Sequence, residues 1–359
     1  SATTDRPSIF ALGLKPLDFD IVVEGDGLEF ARRLAKQEQA QVKTHARFGT
    51  AQITFTDGLT LDVATARNEY YEYPTALPTV ERSSIKKDLY RRDFTINTLA
   101  VCLNGSRFGE ILDFFGGQRD LKDKRLRVLH SLSFVEDPTR VFRAVRFEQR
   151  FGFQLSKDTL RLLQGAVQME LFHRLSGPRL LNELVLLLSE DSPSNGLARL
   201  RDLDLLRCIH PDLAAAPHTK ALIHAVERTL HWASMALVGE DKDAQATPPS
   251  EPAAAYHPWI VVFLALCEHL SPAAWDEMVT RLHCAKQDVV IMTAARTGWN
   301  TVGPALMRRG AMLPSAIYRL LHPYALEAIL FFMAKVTAPM VNKRLADYLT
   351  ISRSVHPVL

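Results

Sequence analysis

The sequence is poor in cysteine and places none of it in a metal-binding pattern. Cys102, Cys208, Cys267 and Cys284 stand far apart with no Cys-x-x-Cys pair, which excludes a zinc ribbon and a disulfide framework and leaves reduced core thiols. Long apolar runs are also missing. Even Leu180 to Leu188 is closed by Ser189, Glu190 and Asp191, and neither a span of about 20 apolar residues nor a signal-peptide pattern appears, so a soluble, cytoplasmic protein with no membrane partner is expected. Charge of one sign is lacking, with 43 Lys and Arg against 40 Asp and Glu. That balance permits a nucleic-acid partner without requiring one. His210, His257 and His322 lack metal-ligand spacing, no repeat is evident, and nothing fixes an oligomeric state. What remains is an ordinary globular composition, 47% hydrophobic over 359 residues, long enough for two or three domains.

The densest chemistry lies in Tyr90-Arg91-Arg92-Asp93-Phe94-Thr95-Ile96-Asn97-Thr98-Leu99-Ala100. Two guanidiniums offer donor forks for phosphate, Asp93 can accept from a sugar hydroxyl, and Asn97 falls on the same face one helical turn on. These groups suit a nucleoside triphosphate. They equally suit a helix start with Asp93 as its cap and two solvated arginines.

From the beginning of the chain, Leu17 to Glu24 reads as a strand with Asp18 and Asp20 on one face. Two such carboxylates repel unless a hard cation such as Mg2+ lies between them, or unless both are solvated at an edge. A helix over Gly27 to Gln39 and strands over Gln41 to Ala46, Ala51 to Thr56 and Leu59 to Thr65 follow. The last strand carries Asp62 between apolar neighbours, either as a third metal ligand or as a sheet-end aspartate. Ala66 to Tyr90 loses periodicity and reads as a long loop. Gly109 to Phe115 reads as a strand, Gly116 to Leu121 as a turn into a short helix, and Leu126 to Leu129 as another strand. A strong helix is expected from Glu136, with Asp137, Arg140 and Arg143 near one face. The rest reads as helical. Helices are expected after the Ser156 cap, from Gly177-Pro178, over Ser194 to His210, Pro258 to Leu270 and Pro272 to Leu282, with a proline-rich linker over Val238 to Tyr256.

Five of these segments, in this order, resemble the class II tRNA nucleotidyltransferase and bacterial poly(A) polymerase family of the polymerase beta nucleotidyltransferase superfamily. They are Asp18-Phe19-Asp20 with Val22-Val23-Glu24-Gly25-Asp26, Leu61-Asp62-Val63-Ala64-Thr65-Ala66-Arg67, Arg91-Arg92-Asp93-Phe94-Thr95-Ile96-Asn97, Asp113-Phe114-Phe115-Gly116-Gly117, and Glu136-Asp137-Pro138-Thr139-Arg140. The resemblance runs from Leu17 to Leu213. It implies an α+β fold, with a nucleotidyltransferase head of mixed β-sheet and helices over residues 1–130. A helical neck (131–213) and an all-α, RNA-binding body and tail (214–359) would follow. It also implies two Mg2+ ions on Asp18 and Asp20 with Asp62 as the third catalytic carboxylate. ATP or CTP would be the substrate, with Arg91, Arg92, Asp93, Asn97 and Arg143 at the nucleotide, Arg92 on phosphate and Asp93 on the ribose. Asp137 and Arg140 would read the base, and tRNA would be held by its acceptor and T arms.

Arg174, Arg179 and Glu183 resemble the family's neck-stabilising motif. Arg308, Arg309, Lys343, Arg344 and Arg353 are candidates for RNA phosphates, weighed against ordinary solvated cations. One departure is plain, since residues 1–17 contain no Gly-Gly. The backbone cradle that such a turn offers a triphosphate is therefore not expected in that stretch. Where poly(A) polymerases carry Gly-Arg-Arg-Phe, this chain has His45-Ala46-Arg47-Phe48-Gly49-Thr50, which favours a tRNA enzyme. CCA addition, A-only addition, poly(A) synthesis and a non-catalytic RNA-binding relative remain as alternatives.

Overall fold

In a computed structural model of the protein, the residues described are 2–3, 19–70, 79–215, 219–237, 256–308 and 312–352. Asp18, Arg309, Arg353 and the linker residues 238–255 lie outside them. Leu28, Ala31, Leu34 and Ala35 recur at helical spacing among charged residues and form α1 (Gly27–Gln37), capped by the Asp26 side chain accepting from the Glu29 amide at 2.9 Å. Its buried face covers Ala51, Ile53 and Val63 of the sheet.

That sheet has seven strands in the order β3-β4-β5-β2-β1-β8-β9. The strands are β1 (Ala2–Thr3), β2 (Phe19–Val23), β3 (Gln41–His45), β4 (Thr50–Thr54), β5 (Thr60–Thr65), β8 (Ala100–Val101) and β9 (Ile111–Leu112). β2 and β5 run parallel, and the other neighbours run antiparallel. The sheet is mixed, as expected. Alternation along β2 and β5 directs Ile21 and Val63 toward α1 and turns Asp20 and Asp62 to the opposite face.

Within the stretch expected as a long loop, residues 71–78 lie outside those described, and the described residues form β6 (Arg67–Tyr70) paired antiparallel with β7 (Thr79–Arg82), followed by α2 (Ile85–Tyr90). The pairs of Arg67 with Arg82 and Asn68 with Glu81 are polar and leave no apolar period to read. Gly109 to Phe115 contributes only the two-residue β9, because Asp113 turns back to accept from the amides of Gly116 and Gly117, both at 2.8 Å, and so opens α3 (Gly117–Lys122). Leu126 to Leu129 likewise contributes only the end of β10 (Arg125–Leu126), paired with β11 (Gln154–Leu155).

The helix expected from Glu136 comes in two pieces. A single turn, α4 (Ser133–Glu136), is interrupted at Asp137-Pro138 before α5 (Thr139–Phe151) begins. Proline disfavours helix at the residue before it, which explains the break. α6 (Lys157–Gln168) starts at the expected Ser156 cap.

Two compact units divide the chain at Leu175, within the span expected as neck. The second unit is helical. α7 (Gly177–Leu188) begins where a Cβ on Gly177 would lie 1.8 Å from the Arg281 carbonyl, so only glycine fits there. Ser194 to His210 splits into α8 (Pro193–Asp202) and α9 (Leu206–Ile209) around Asp204, whose φ of 60° is left-handed. α10 (Thr219–Ala236), α11 (Pro258–Leu266), α12 (Pro272–Leu282), α13 (Lys286–Leu306), α14 (Pro314–Leu321), α15 (Leu326–Lys335) and α16 (Pro339–Asp347) complete it. α11 is buried from Trp259 to Leu266. Among the described residues no single helix is long and apolar enough to cross a membrane. All four cysteines are free.

Candidate active site

Asp20 and Asp62 are register partners on the parallel strands β2 and β5, so their carboxylates share one face of the sheet, away from α1. Asp62 is exposed, and its Oδ1 accepts from the Gln52 amide at 3.1 Å. Two carboxylates side by side in this way fit a hard divalent cation of the kind that keeps several waters and takes one or two protein carboxylates. Among the described residues no group of three His, Cys, Asp or Glu side chains gathers to hold a metal, and Asp18 is not among them.

The Arg91-Arg92-Asp93 segment is not a helix start. It is the turn between α2 and a short 3-10 turn at Thr95–Thr98. Arg91 is committed to protein acids, with Nη1 on Glu69 at 2.8 Å and Nε and Nη2 on Asp88 Oδ1 at 3.1 and 2.9 Å. Arg91, expected from the sequence at the nucleotide, is thus held in place by Glu69 and Asp88. Arg92 lies deeper than expected, donating from Nη1 to the Asn97 carbonyl at 3.1 Å, with Nη2 3.8 Å from Asp88.

Asp93 is buried. Its Oδ1 accepts from the Phe94 amide and from Asn97 Nδ2, both at 2.8 Å, and its Oδ2 takes Arg143 Nε at 2.8 Å and Nη2 at 2.7 Å. About four acceptor sites on a carboxylate are thereby engaged by the protein itself, at the residue expected from the sequence to meet a ribose hydroxyl. Burial opposes the charge on Asp93, but Arg143 and the Asn97 amide outweigh it and hold the carboxyl below the usual carboxylate range. The expected meeting of Asp93 and Asn97 does occur, through a 3-10 turn.

Asp137 caps α5, its Oδ1 accepting from the amide and hydroxyl of Thr139 at 3.0 and 2.6 Å. Arg140, only 6% exposed, donates from Nη1 to Ser133 Oγ at 2.8 Å and from Nη2 to the Arg91 carbonyl at 2.6 Å. Helix α5 therefore grips the Arg91–Asp93 turn twice, through Arg140 and Arg143.

Three acids not singled out in the sequence hold this frame. Asp88, fully buried, also accepts from the Arg67 amide at 3.1 Å, and Glu69 bridges Arg67 and Arg91. Asp120 on α3 accepts from the Thr95 hydroxyl and from Arg127 at 3.0 Å by two nitrogens. The spacing of Asp88 to Arg91 and Arg92, three and four residues on a helix, was the available signal. Of the tail cations, Arg344 caps α13 by donating to the Leu306 carbonyl at 2.7 Å.

A carboxylate pair sharing one sheet face, within the same unit as a turn of arginines braced by buried acids, is an arrangement able to take a metal-bound polyphosphate. Residues 10–127 match the poly A polymerase head domain, and residues 152–216 match the "probable RNA and SrmB-binding site of polymerase A". A CCA-adding enzyme in an apo form is 33% identical, superimposes with a TM-score of 0.82, and is matched over 100% of this chain and 80% of its own. The chain belongs to the tRNA nucleotidyltransferase and poly(A) polymerase family. Another family member, the Thermotoga maritima CCA-adding enzyme complexed with tRNA, is 31% identical with a TM-score of 0.75, over 99% of this chain and 79% of that one. An A-adding tRNA nucleotidyltransferase of Geobacter sulfurreducens is 45% identical over 348 residues, which is 96% of this chain. The chain spans 38% of that relative's length, and less than half the length of the A-adding relatives of Aquifex aeolicus and Halalkalibacterium halodurans.

Proposed function

We propose that the protein adds adenosine to the 3′ end of tRNA without a nucleic-acid template, releasing pyrophosphate. The observation that carries the chemistry is the in-register pair Asp20 and Asp62 on one sheet face. Adenosine is favoured by the 45% identity to an A-adding relative across nearly the whole chain.

In this reading Asp20 and Asp62, with Asp18 two residues before, would hold Mg2+, which when bound supplies an acidified RNA hydroxyl and charge neutralisation at the pyrophosphate. Arg92 would hold phosphate, with Asn97 beside it. Asp93 keeps Arg143 and Asn97 in place, and Arg91 ties the turn to Glu69 and Asp88. Asp137 and Arg140, at the start of α5, would read the edge of the incoming base by exchanging their present protein partners for it. Functionally, residues 1–130 serve as catalytic head, 131–213 as base-reading neck, and 214–359 as a body and tail that hold RNA by shape and phosphate.

The test is to incubate the chain and Mg2+ with tRNAs ending before CCA, after the first C, or after CC, offering labelled ATP or CTP singly. A-addition labels only the CC-ended tRNA, once, with ATP. Full CCA addition, favoured by the fold-level likeness to CCA-adding enzymes, would also use CTP on the two shorter ends. Many adenosines on any end would mean a poly(A) polymerase. RNA binding without any extension would mean a non-catalytic relative.

A further inference from the structure

A row of rings crosses the surface of the first unit. Centroids lie 6.2 Å apart from Phe114 to Phe115, 5.6 Å from Phe115 to Tyr90, and 5.3 Å from Tyr90 to His130. Phe115 packs against the core cluster of Leu89, Ala100, Cys102 and Leu112. Tyr90 and Phe114 do not follow it inward, keeping 44% and 42% of their surface exposed. Lys86 Nζ stands 5.9 Å over the Phe114 ring. At the other end, His130 Nε2 is 3.5 Å from Glu136, the residue just before the Asp137-Pro138 break that opens α5. Burial and the neighbouring Arg140 charge lower the imidazole from its ordinary value, so near pH 7 it is a neutral flat ring.

Packing accounts for Phe115 and for much of His130, whose side chain is 17% exposed, leaving Phe114 and Tyr90 as the open faces of the row. Exposed aromatic faces in series beside a cation are what unpaired bases stack on, because every base has a π face and each step brings a phosphate. The row also leads somewhere, from the surface at Phe114 to the residues that begin α5. We propose that Phe114, Tyr90 and His130 form a stacking track for the unpaired 3′ end of the RNA, with Lys86 on its backbone, that delivers the terminal nucleotide toward Arg140. The track rests on the functional reading above only in taking an RNA end as the substrate.

The experiment uses the whole chain and two RNA minihelices without nucleotide. One carries an unpaired CC end with 2-aminopurine beside it, and the other is blunt. Phe114→Ala and Tyr90→Ala should each weaken binding of the tailed RNA about 5- to 100-fold and relieve quenching of the probe, leaving the blunt RNA unchanged. Tyr90→Phe should restore both readings, which a loss of folding would not allow. Unchanged affinity and quenching in both alanine variants would overturn the track, as would equal weakening for tailed and blunt RNA. Because binding is read without ATP, a wild-type chain that extends no RNA yet shows these ring-dependent differences would refute nucleotide addition and leave the track standing.

Discussion

Asp93 and Arg143, 50 residues apart in the chain, meet with two guanidinium nitrogens at 2.7 and 2.8 Å from one carboxylate oxygen. The pair joins the Arg91–Asp93 turn to α5. Removing only the cation strands a buried charge, and that is worse than removing both partners. Arg143→Met is expected to cost about 3–5 kcal/mol in urea unfolding, with much of it recovered when Asp93→Asn is added. Additive losses in the double variant would show that the two side chains do not act as a pair.

The pH dependence follows from the same carboxyl. Its folded pKa lies below the ordinary value of 3.8, so the folded state binds that proton less readily than the unfolded chain. This contribution to stability is complete above about pH 4 and fades as pH falls through the folded value. Urea midpoints taken from pH 7 to pH 3 should fall more steeply for the wild type than for Asp93→Asn. Parallel acid limbs would contradict the assignment.

Asp20→Ala and Asp62→Ala should each reduce labelled AMP incorporation at least about 100-fold, since loss of a metal ligand removes several kcal/mol of charge stabilisation. tRNA affinity should hold, because phosphate contacts elsewhere supply it. Mg2+ should raise the melting temperature of the wild type and have little effect on either variant. Turnover retained in both would remove these carboxylates from the chemistry.

Glycine exchange at two helical positions should separate the frame from the bulk of the unit. A Cβ on Gly117 would lie 2.5 Å from the Thr95 carbonyl, whereas one on Gly165 would meet nothing within 4 Å. Gly117→Ala is expected to destabilise by about 1–3 kcal/mol and to depress nucleotide addition through the shifted Thr95 turn. Gly165→Ala, inside α6, should be neutral or stabilising by up to about 1 kcal/mol. Thermal melts and rates measured side by side would decide it.

What could be read in the sequence was local. Strand alternation found Asp20 and Asp62, helical spacing found α1, and the Ser156 cap marked α6. The partners of the arginines were hidden, because Glu69 meets Arg91 from 22 residues away and Arg143 meets Asp93 from 50. No periodicity carries such pairings. The pairing of β6 with β7 was missed because Tyr70 and Val80, its two apolar residues, fall in different pairs and set up no alternation, and the α8 to α9 break because Asp204 turns left-handed without glycine. The roles expected of Arg91 and Asp93 treated them as open groups. In the fold Arg91 is held by Glu69 and Asp88, and Asp93 by Arg143 and Asn97, partners that only the tertiary structure supplies.

The parallel pairing of β2 with β5 also bears on how the head assembles. β3, β4 and β5 are consecutive antiparallel neighbours and can zip locally, bringing Gln52 beside Asp62. Asp20 arrives only when β2 docks across α1 from 42 residues upstream, a non-local closure that is slow in its entropy. An emerging chain with only the meander formed would hold one carboxylate of the pair and could not bring two to bear on a nucleotide. In refolding experiments, strand signal from the meander should therefore precede Mg2+-dependent stabilisation, so that the onset of metal binding times the completion of the head.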